Sequence, residues 1–399
     1  MVPDAPSVTL PATDPVAARY RALFATIDWS LLDPAPMHPR RPGPHGVSQR
    51  TIVQVLLVKV GERLGSIPRL HQYLLDHPAL RLELGVERLP QERQLRRWQQ
   101  QAAPLLAQVL TQSAKTVAAQ VPQIGALVAL DATHHVAWVA NNNQNQTMAH
   151  RFDAAHPPPG DPDCRLGAKT RHPTPFGPVK QAFWGYHSGL MVSTTPGAVA
   201  VLAATVTPVV AQEITLAPAL QQQVEAVLGA PPASLTADAA FDSVALWDWV
   251  VAPGGSAAIA LNARGRSLRH TPAGVPLCAQ GKPMRPVRHR DPATPCQHYA
   301  CPLKGDRQAT CPDARFARGG CHTHRSASPG GYARRTIDRH SAAYAAAYAK
   351  RTTAERIFSQ LKSWGLERPI ARSLATVQSV LLAGYLLINL MLLNDLSGK

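Results

Sequence analysis

Apolar positions recur at helical spacing through the first third of the chain and in strand-length runs through its middle. Ile52, Val53, Val55, Leu56, Leu57 and Val60 form one helical stripe, which Ser48 can cap and Gly61 or Gly65 can stop. Residues 66–75 predict a second, short helix that ends at His77-Pro78. A third begins near Pro90, runs through Leu95 and Trp98, breaks or kinks at Pro104 and continues through Leu105, Val109 and Val117. Past residue 120 the period changes. Residues 126–130 are a continuous apolar run and 135–140 a second strand-like stretch, which could pair as a hairpin. Residues 141–178 read as a long polar loop, 182–194 and 199–206 as strands, 208–228 as a helix crossing the sheet, and 244–251 as a helix. Periodicity disappears between residues 259 and 339. Residues 348–362 contain no Pro or Gly and predict one helix, with Gly365 beyond it as a stop. A long apolar run follows at 374–393.

Three acids stand out against this pattern. With Glu355 as the zero of a helix turning roughly 100° per residue, Lys362 and Arg351 fall about 20° and about 40° to one side, and Tyr348 about 20° to the other. One carboxylate thus shares a narrow stripe with two cations and a phenol, where a solvated face would spread its charges around the cylinder. Asp131 closes the apolar run at 126–130 in the context Asp131-Ala132-Thr133. An acid at the end of a buried strand is unfavourable unless it is paired, hydrogen-bonded or bound to metal. Asp238 follows the run 233–237 and is succeeded by Ala239, Ala240, Phe241 and Asp242. Asp242 is the expected cap of the next helix, although the two acids could exchange roles. Taken singly, each could equally be an ordinary strand-ending or capping carboxylate.

Composition narrows the choice of partner. The 399 residues admit two or three compact units, and a hydrophobic fraction of 45% excludes global disorder. Lys and Arg number 41 against 25 Asp and Glu, a net charge of +16 that favours a polyanion, nucleic acid before a membrane surface. Arg88, Arg93, Arg96 and Arg97, with Gln91, Gln94, Gln99 and Gln100, can read bases or grip phosphates from a helix, or simply form the polar face of a bundle. Residues 264–290 hold seven Lys or Arg and no acid, which suits phosphate contacts or a solvated basic loop. The opening segment carries Pro3, Pro6 and Pro11 without an apolar core, so no secretory signal is expected. The run 374–393 includes Gln378, Ser379 and Asn389 and reads as a buried helix rather than a membrane span. A cytoplasmic protein is expected. Five of the six cysteines lie between 278 and 321, and clustered thiols in a reducing compartment suggest metal rather than disulfides. Cys296, Cys301, Cys311 and Cys321, with His298, His322 and His324 nearby, are candidate ligands of a structural zinc; free or merely packed thiols are the alternative.

The spacing Tyr348-x2-Arg351-x3-Glu355-x6-Lys362 resembles the signature helix of bacterial DDE-type insertion-sequence transposases, whose catalytic domain is ribonuclease H-like. The resemblance implies an α/β fold: a ribonuclease H-like mixed-sheet core, a helical N-terminal domain and a Cys-rich, basic insertion before the last catalytic helix. On this chain the divisions fall at 1–120 for the DNA-binding helices, 121–258 and 340–399 for the two parts of the core, and 259–339 for the insertion. It makes Asp131, Asp238 and Glu355 the catalytic, magnesium-binding acids, with Tyr348, Arg351 and Lys362 holding the DNA end. Family members carry Asp-x-Gly-Tyr/Phe at the second acid; here Ala240 takes the place of the glycine.

The chemistry so implied is in-line attack on phosphodiesters. Two magnesium ions, with manganese able to substitute, are held by oxygen ligands, and Asp131 bridges both. The substrates are double-stranded terminal inverted repeats and target DNA, paired by a homodimer, with the protein on the nucleoid when bound and no membrane partner. Hairpin-forming relatives hold a flipped base on an aromatic residue of the insertion. This one has Tyr299, Phe316 and Tyr332 but no Trp, so a hairpin pathway is not expected. Two other functions share some of these features: a ribonuclease H-like nuclease without strand transfer, and a DNA-binding derivative without catalysis. The intact acids argue against the second.

Overall fold

A computed structural model of the chain describes residues 14–32, 47–174, 177–262, 269–287, 296–304, 306, 308–313 and 315–398. Among the described residues six α-helices precede the first strand: α1 (Pro15–Phe24), α2 (Gln49–Gly61), α3 (Ile67–Asp76), α4 (Pro78–Glu83), α5 (Glu92–Gln101) and α6 (Ala103–Gln120). Ser48 and Ser66 cap α2 and α3 through their hydroxyls, and Pro104 lies in the first turn of α6, where its missing N–H leaves no hydrogen bond unmade.

The central sheet is mixed, with strand order β2-β3-β1-β5-β6 and β4 paired to β3. Its members are β1 (Val128–Val136), β2 (Arg165–Thr174), β3 (Gly177–Ser193), β4 (Val201–Pro208), β5 (Ser234–Ala237) and β6 (Ser256–Ile259). β1 runs antiparallel to β3 and parallel to β5, and β5 runs parallel to β6. Two helices, α7 (Ala217–Leu228) and α8 (Val244–Val251), connect β4 to β5 and β5 to β6. A separate three-stranded sheet follows, β7 (Arg285–Val287), β8 (Cys296–Ala300) and β9 (His322–Ser326), and then α9 (Pro329–Thr336), α10 (Ala342–Ala349), α11 (Thr352–Ser363) and α12 (Leu374–Ser397). The mixed parallel and antiparallel sheet with helices on it is compatible with a ribonuclease H-like core.

Three sequence expectations change here. No hairpin divides 128–136; β1 is one strand, because β3 is long enough to pair with it from Val136 to Val128. The expected loop at 141–178 contains β2, which gains backbone partners from the first half of β3. The single helix expected over 348–362 is two, α10 and α11, joined by a tight turn at Lys350 and Arg351 in which the Thr353 and Ala354 N–H groups reach back only three residues. Gly365, at φ 82, ends α11 in the left-handed conformation that glycine adopts without strain.

Among the described residues α12 is the one helix long and apolar enough to cross a membrane by length and composition, and 83% of its most apolar window is buried. It packs against α2, α5, α6 and β4, so the N-terminal helices and the sheet share one hydrophobic core. Its few polar side chains act on the sheet edge. Asn389 receives the Val201 N–H at 2.8 Å and donates to the Val201 carbonyl at 2.9 Å, and Gln378 donates to the Val206 carbonyl. These contacts satisfy groups that an edge strand otherwise leaves open.

A second buried relay ties the end of α11 to β1. His135 Nδ1 donates to the Leu366 carbonyl at 2.7 Å, which leaves Nε2 to accept from the Ser188 hydroxyl at 2.6 Å; Ser188 in turn accepts from Tyr385 at 2.7 Å. The Val136 N–H donates to the Glu367 carbonyl beside it. Strand, helix terminus and α12 are therefore held in one hydrogen-bonded arrangement.

Replacing Asn389 by Leu keeps the branched shape but strands both backbone groups of Val201. The expected result is a loss of about 1–3 kcal/mol of unfolding free energy, read as a lower urea midpoint at unchanged slope.

Candidate active site

Register sets the first two acids side by side. β1 pairs with β5 only from Val128 to Leu130, and the last partner of Leu130 is Ala237. The next residues on the two parallel strands are Asp131 and Asp238. Asp131 is interior to β1 and not at its end; what stops there is the pairing with β5. Asp238 leaves β5 as the cap of a short 3₁₀ turn and accepts the Ala240 N–H at 2.9 Å.

The third acid arrives from across the sheet. α11 buries Thr353, Ala354, Ile357, Phe358 and Leu361 against β1 and β3, which leaves Glu355 at the rim with its side chain 48% exposed. Arg351 joins the group: Nη1 lies 3.0 Å from Asp131 Oδ2 and Nη2 lies 2.7 Å from Glu355 Oε1. Burial pushes the Asp131 carboxyl up to about 7. The Ala132 N–H and Arg351 oppose that rise, and Asp238 and Glu355 add to it. Asp131 therefore senses both other acids and the arginine.

The remaining stripe residues are split by the break between α10 and α11. Tyr348 ends α10, stacks on Tyr344 and lies under the Arg351 guanidinium at 5.8 Å. Lys362, on α11, is exposed, and its charge reaches His134 and His135. Asp242 is not a helix cap. Ser243 caps α8, while Asp242 is buried against Arg334 of α9 and accepts from Trp247 and the Asn262 N–H. It fastens the last part of the insertion to the core.

Beside Asp238 opens a cavity of about 850 Å³, lined by His134, Trp184, His187, Glu213, Ala240 and Asn262 among others. Glu213 escaped the reading of the sequence. Burial raises its carboxyl pKa, and the charge of Asp238 adds to that. The available signal was position, since Glu213 is the first acid after Asp163 in a chain that otherwise keeps this region neutral or basic. His134, His187 and Glu213 bring ligand-type atoms within 4.8 Å of one another. The Val210 N–H, however, donates to His187 Nδ1 at 3.2 Å and so keeps the hydrogen on Nε2, a buried atom with no partner. His187 thus carries a hydrogen on its second ring nitrogen, not the lone pair a metal needs.

The candidate zinc ligands are brought together only in part. Cys301, Cys311 and Cys321 meet in a small core of the insertion, which also includes Cys278; Cys296 is not in it. Of the basic stretch 264–290, residues 264–268 and 288–290 lie outside the described residues.

A family model described as Transposase DDE domain matches residues 167–390. The chain belongs to this family. Asp238 and Glu355 fall inside the matched span, and Asp131 precedes it. No curated protein and no solved structure matches the chain. Transposase chemistry is phosphodiester cleavage, so the oxygen-rich acid cluster, and not the cysteines, is the place to look for it.

The imidazoles behind the site make its stability acid-sensitive. Burial holds His134 and His135 down at about 4 and His187 at about 3, against the ordinary 6.5. Unfolding lets them protonate, so their contribution is complete above about pH 6.5 and is lost as pH falls toward about 4. Asp131 and Glu213, both raised when folded, work in the opposite sense but are two groups against three. Urea midpoints should fall between about pH 7 and about pH 5, and fall less steeply in His135→Gln. A flat profile contradicts this assignment.

Proposed function

We propose that this transposase-family chain cuts the ends of a mobile DNA element at its terminal inverted repeats and joins them to target DNA, with Asp131, Asp238 and Glu355 as its catalytic acids. The observation that carries the reading is the register that sets Asp131 beside Asp238, with Glu355 brought to them by α11, in a chain of this family.

The donor set fits hard divalent ions. Three carboxylates offer oxygen alone, as magnesium prefers. Asp131 is too buried to ionise freely without a cation, and a guanidinium now stands in that role. Asp131, Asp238 and Glu355 would hold two magnesium ions, with manganese able to substitute; when bound, such a pair activates the attacking oxygen and stabilises the leaving one. Arg351 would release the two acids and turn its fork to a DNA phosphate, which has the same charge and offers two oxygens to the two N–H groups. Lys362 and Tyr348 flank it, the first as a mobile cation and the second as a hydroxyl or a ring face for phosphate or sugar.

Recognition of the repeats falls to residues 1–120. Arg88, Arg93, Arg96, Arg97, Gln94 and Gln100 are exposed on or just before α5, while Leu95, Trp98 and Gln99 face the core, so one helix side is free for a DNA groove. A second copy of the chain would bring the second DNA end. Residues 121–258 and 340–399 form the catalytic core, and 259–339 its insertion.

The test uses donor DNA carrying the element's repeats, with magnesium and a target plasmid. Cleavage and joined products are expected, and Asp131→Asn, Asp238→Asn and Glu355→Gln should each abolish both while repeat binding stays nearly intact. Wild-type cutting by Glu355→Gln would remove that residue from the proposal, and cleavage without joining would favour a nuclease. Arg351→Ala separates the two parts given to the guanidinium. Without DNA the variant should bind magnesium more tightly, because a competing cation is gone; with DNA it should cut more slowly. Weaker magnesium binding by this variant would mean that Arg351 organises the acids instead of competing for them.

A further inference from the structure

The segment between β1 and β2 carries a group of metal-ligand side chains that the acid site does not use. His150, Asp153 and His156 bring ligand-type atoms within 4.8 Å of one another. Their side chains are 65%, 40% and 61% exposed, so an ion can reach them without the chain opening. Two ligand atoms about 2.1 Å from one ion stand roughly 3.0–3.4 Å apart at octahedral or tetrahedral angles. The distances from Asp153 Oδ2, 2.8 Å to His156 Nδ1 and 3.7 Å to His150 Nδ1, bracket that spacing.

The local backbone holds this arrangement. The Asp153 N–H donates to the His150 carbonyl, and the His156 N–H to the Asp153 carbonyl. Asp153 Oδ1 accepts the Ala155 N–H at 3.0 Å, which leaves Oδ2 to the two rings. His150 lies at φ 52, a left-handed conformation uncommon outside glycine, and its ring stacks on that of His156 with centroids 4.7 Å apart. Two imidazolium rings so stacked would repel each other. Neutral rings with their hydrogens on Nε2 would instead both offer an Nδ1 lone pair to a cation beside Oδ2. Arg151, the sole Lys or Arg in residues 150–156, sends its guanidinium to the Asn141 and Asn143 carbonyls. Its own carbonyl accepts the Trp184 indole N–H at 2.8 Å, which fastens the turn to β3.

We infer that His150, Asp153 and His156 bind one divalent ion of the zinc class through two imidazole nitrogens and one carboxylate oxygen. Mixed nitrogen and oxygen donors suit zinc, cobalt or nickel, whereas magnesium prefers oxygen alone. Ala154, inside the turn, lines the cavity beside Asp238, so the ion would fix one wall of that cavity. The inference does not depend on the reading of the acid site, which uses other residues and another metal.

The test is equilibrium dialysis of the full chain against micromolar zinc chloride, with wild type beside the double variant His150→Ala/His156→Ala. Wild type should hold one zinc more per chain, whatever the cysteines of both proteins bind. Equal zinc in the two overturns the site. Hydrogen exchange then locates the ion: zinc should slow exchange of the Asp153, Ala155 and His156 amides in wild type and leave them unchanged in the variant. Should the variant not fold, the wild-type measurement decides, and exchange there that zinc does not alter overturns the inference.

Discussion

Three carboxylates gathered in one partly buried pocket repel one another and resist ionisation unless positive charge sits among them. Arg351 supplies that charge, touching Asp131 and Glu355 with separate nitrogens of one planar group. The tight turn between α10 and α11 matters for this reason. It places Arg351 at the head of α11, one helical turn before Glu355, where the guanidinium can fold inward over β1. Strand, helix and arginine form a single electrostatic unit, and removing Arg351 or either neighbouring acid changes the protonation of Asp131.

That unit rests on a rigid frame. Parallel pairing of β1 with β5 carries Asp131 and Asp238 to the same level, and the His135–Ser188–Tyr385 relay with the Leu366 carbonyl fixes where α11 ends against the sheet. α12 braces the sheet, its apolar surface filling the space between sheet and N-terminal helices while Asn389 and Gln378 satisfy the backbone of β4. The residues nearest the acids are held by backbone and buried hydrogen bonds, whereas Lys362 stands exposed on α11.

Much of this was legible along the chain because it depends on near neighbours. Ser48 and Ser66 announce their helices, residues 244–251 appear as the helix the spacing predicts, and the Tyr348-to-Lys362 spacing names the family that the family model also finds. Other features were illegible because they need a partner far away. β2 looks like loop until β3 pairs with it, and Asp242 looks like a cap until Arg334, 92 residues on, takes its carboxylate. Spacing likewise grouped Cys296 with the other thiols, whereas the pleat of β8 turns it away from the core that Cys278 enters from another turn.

By itself, then, the sequence determined most of the segments that become helix or strand and the excess of positive charge, since these follow from local period, capping chemistry and composition. Only the tertiary structure decided that Asp131 lies within a continuous strand, that Arg351 binds the acids, that Glu213 and His187 border them, and which thiols share a core. Those outcomes depend on strand register and on side chains meeting across hundreds of residues, and neither is encoded in the order of neighbours.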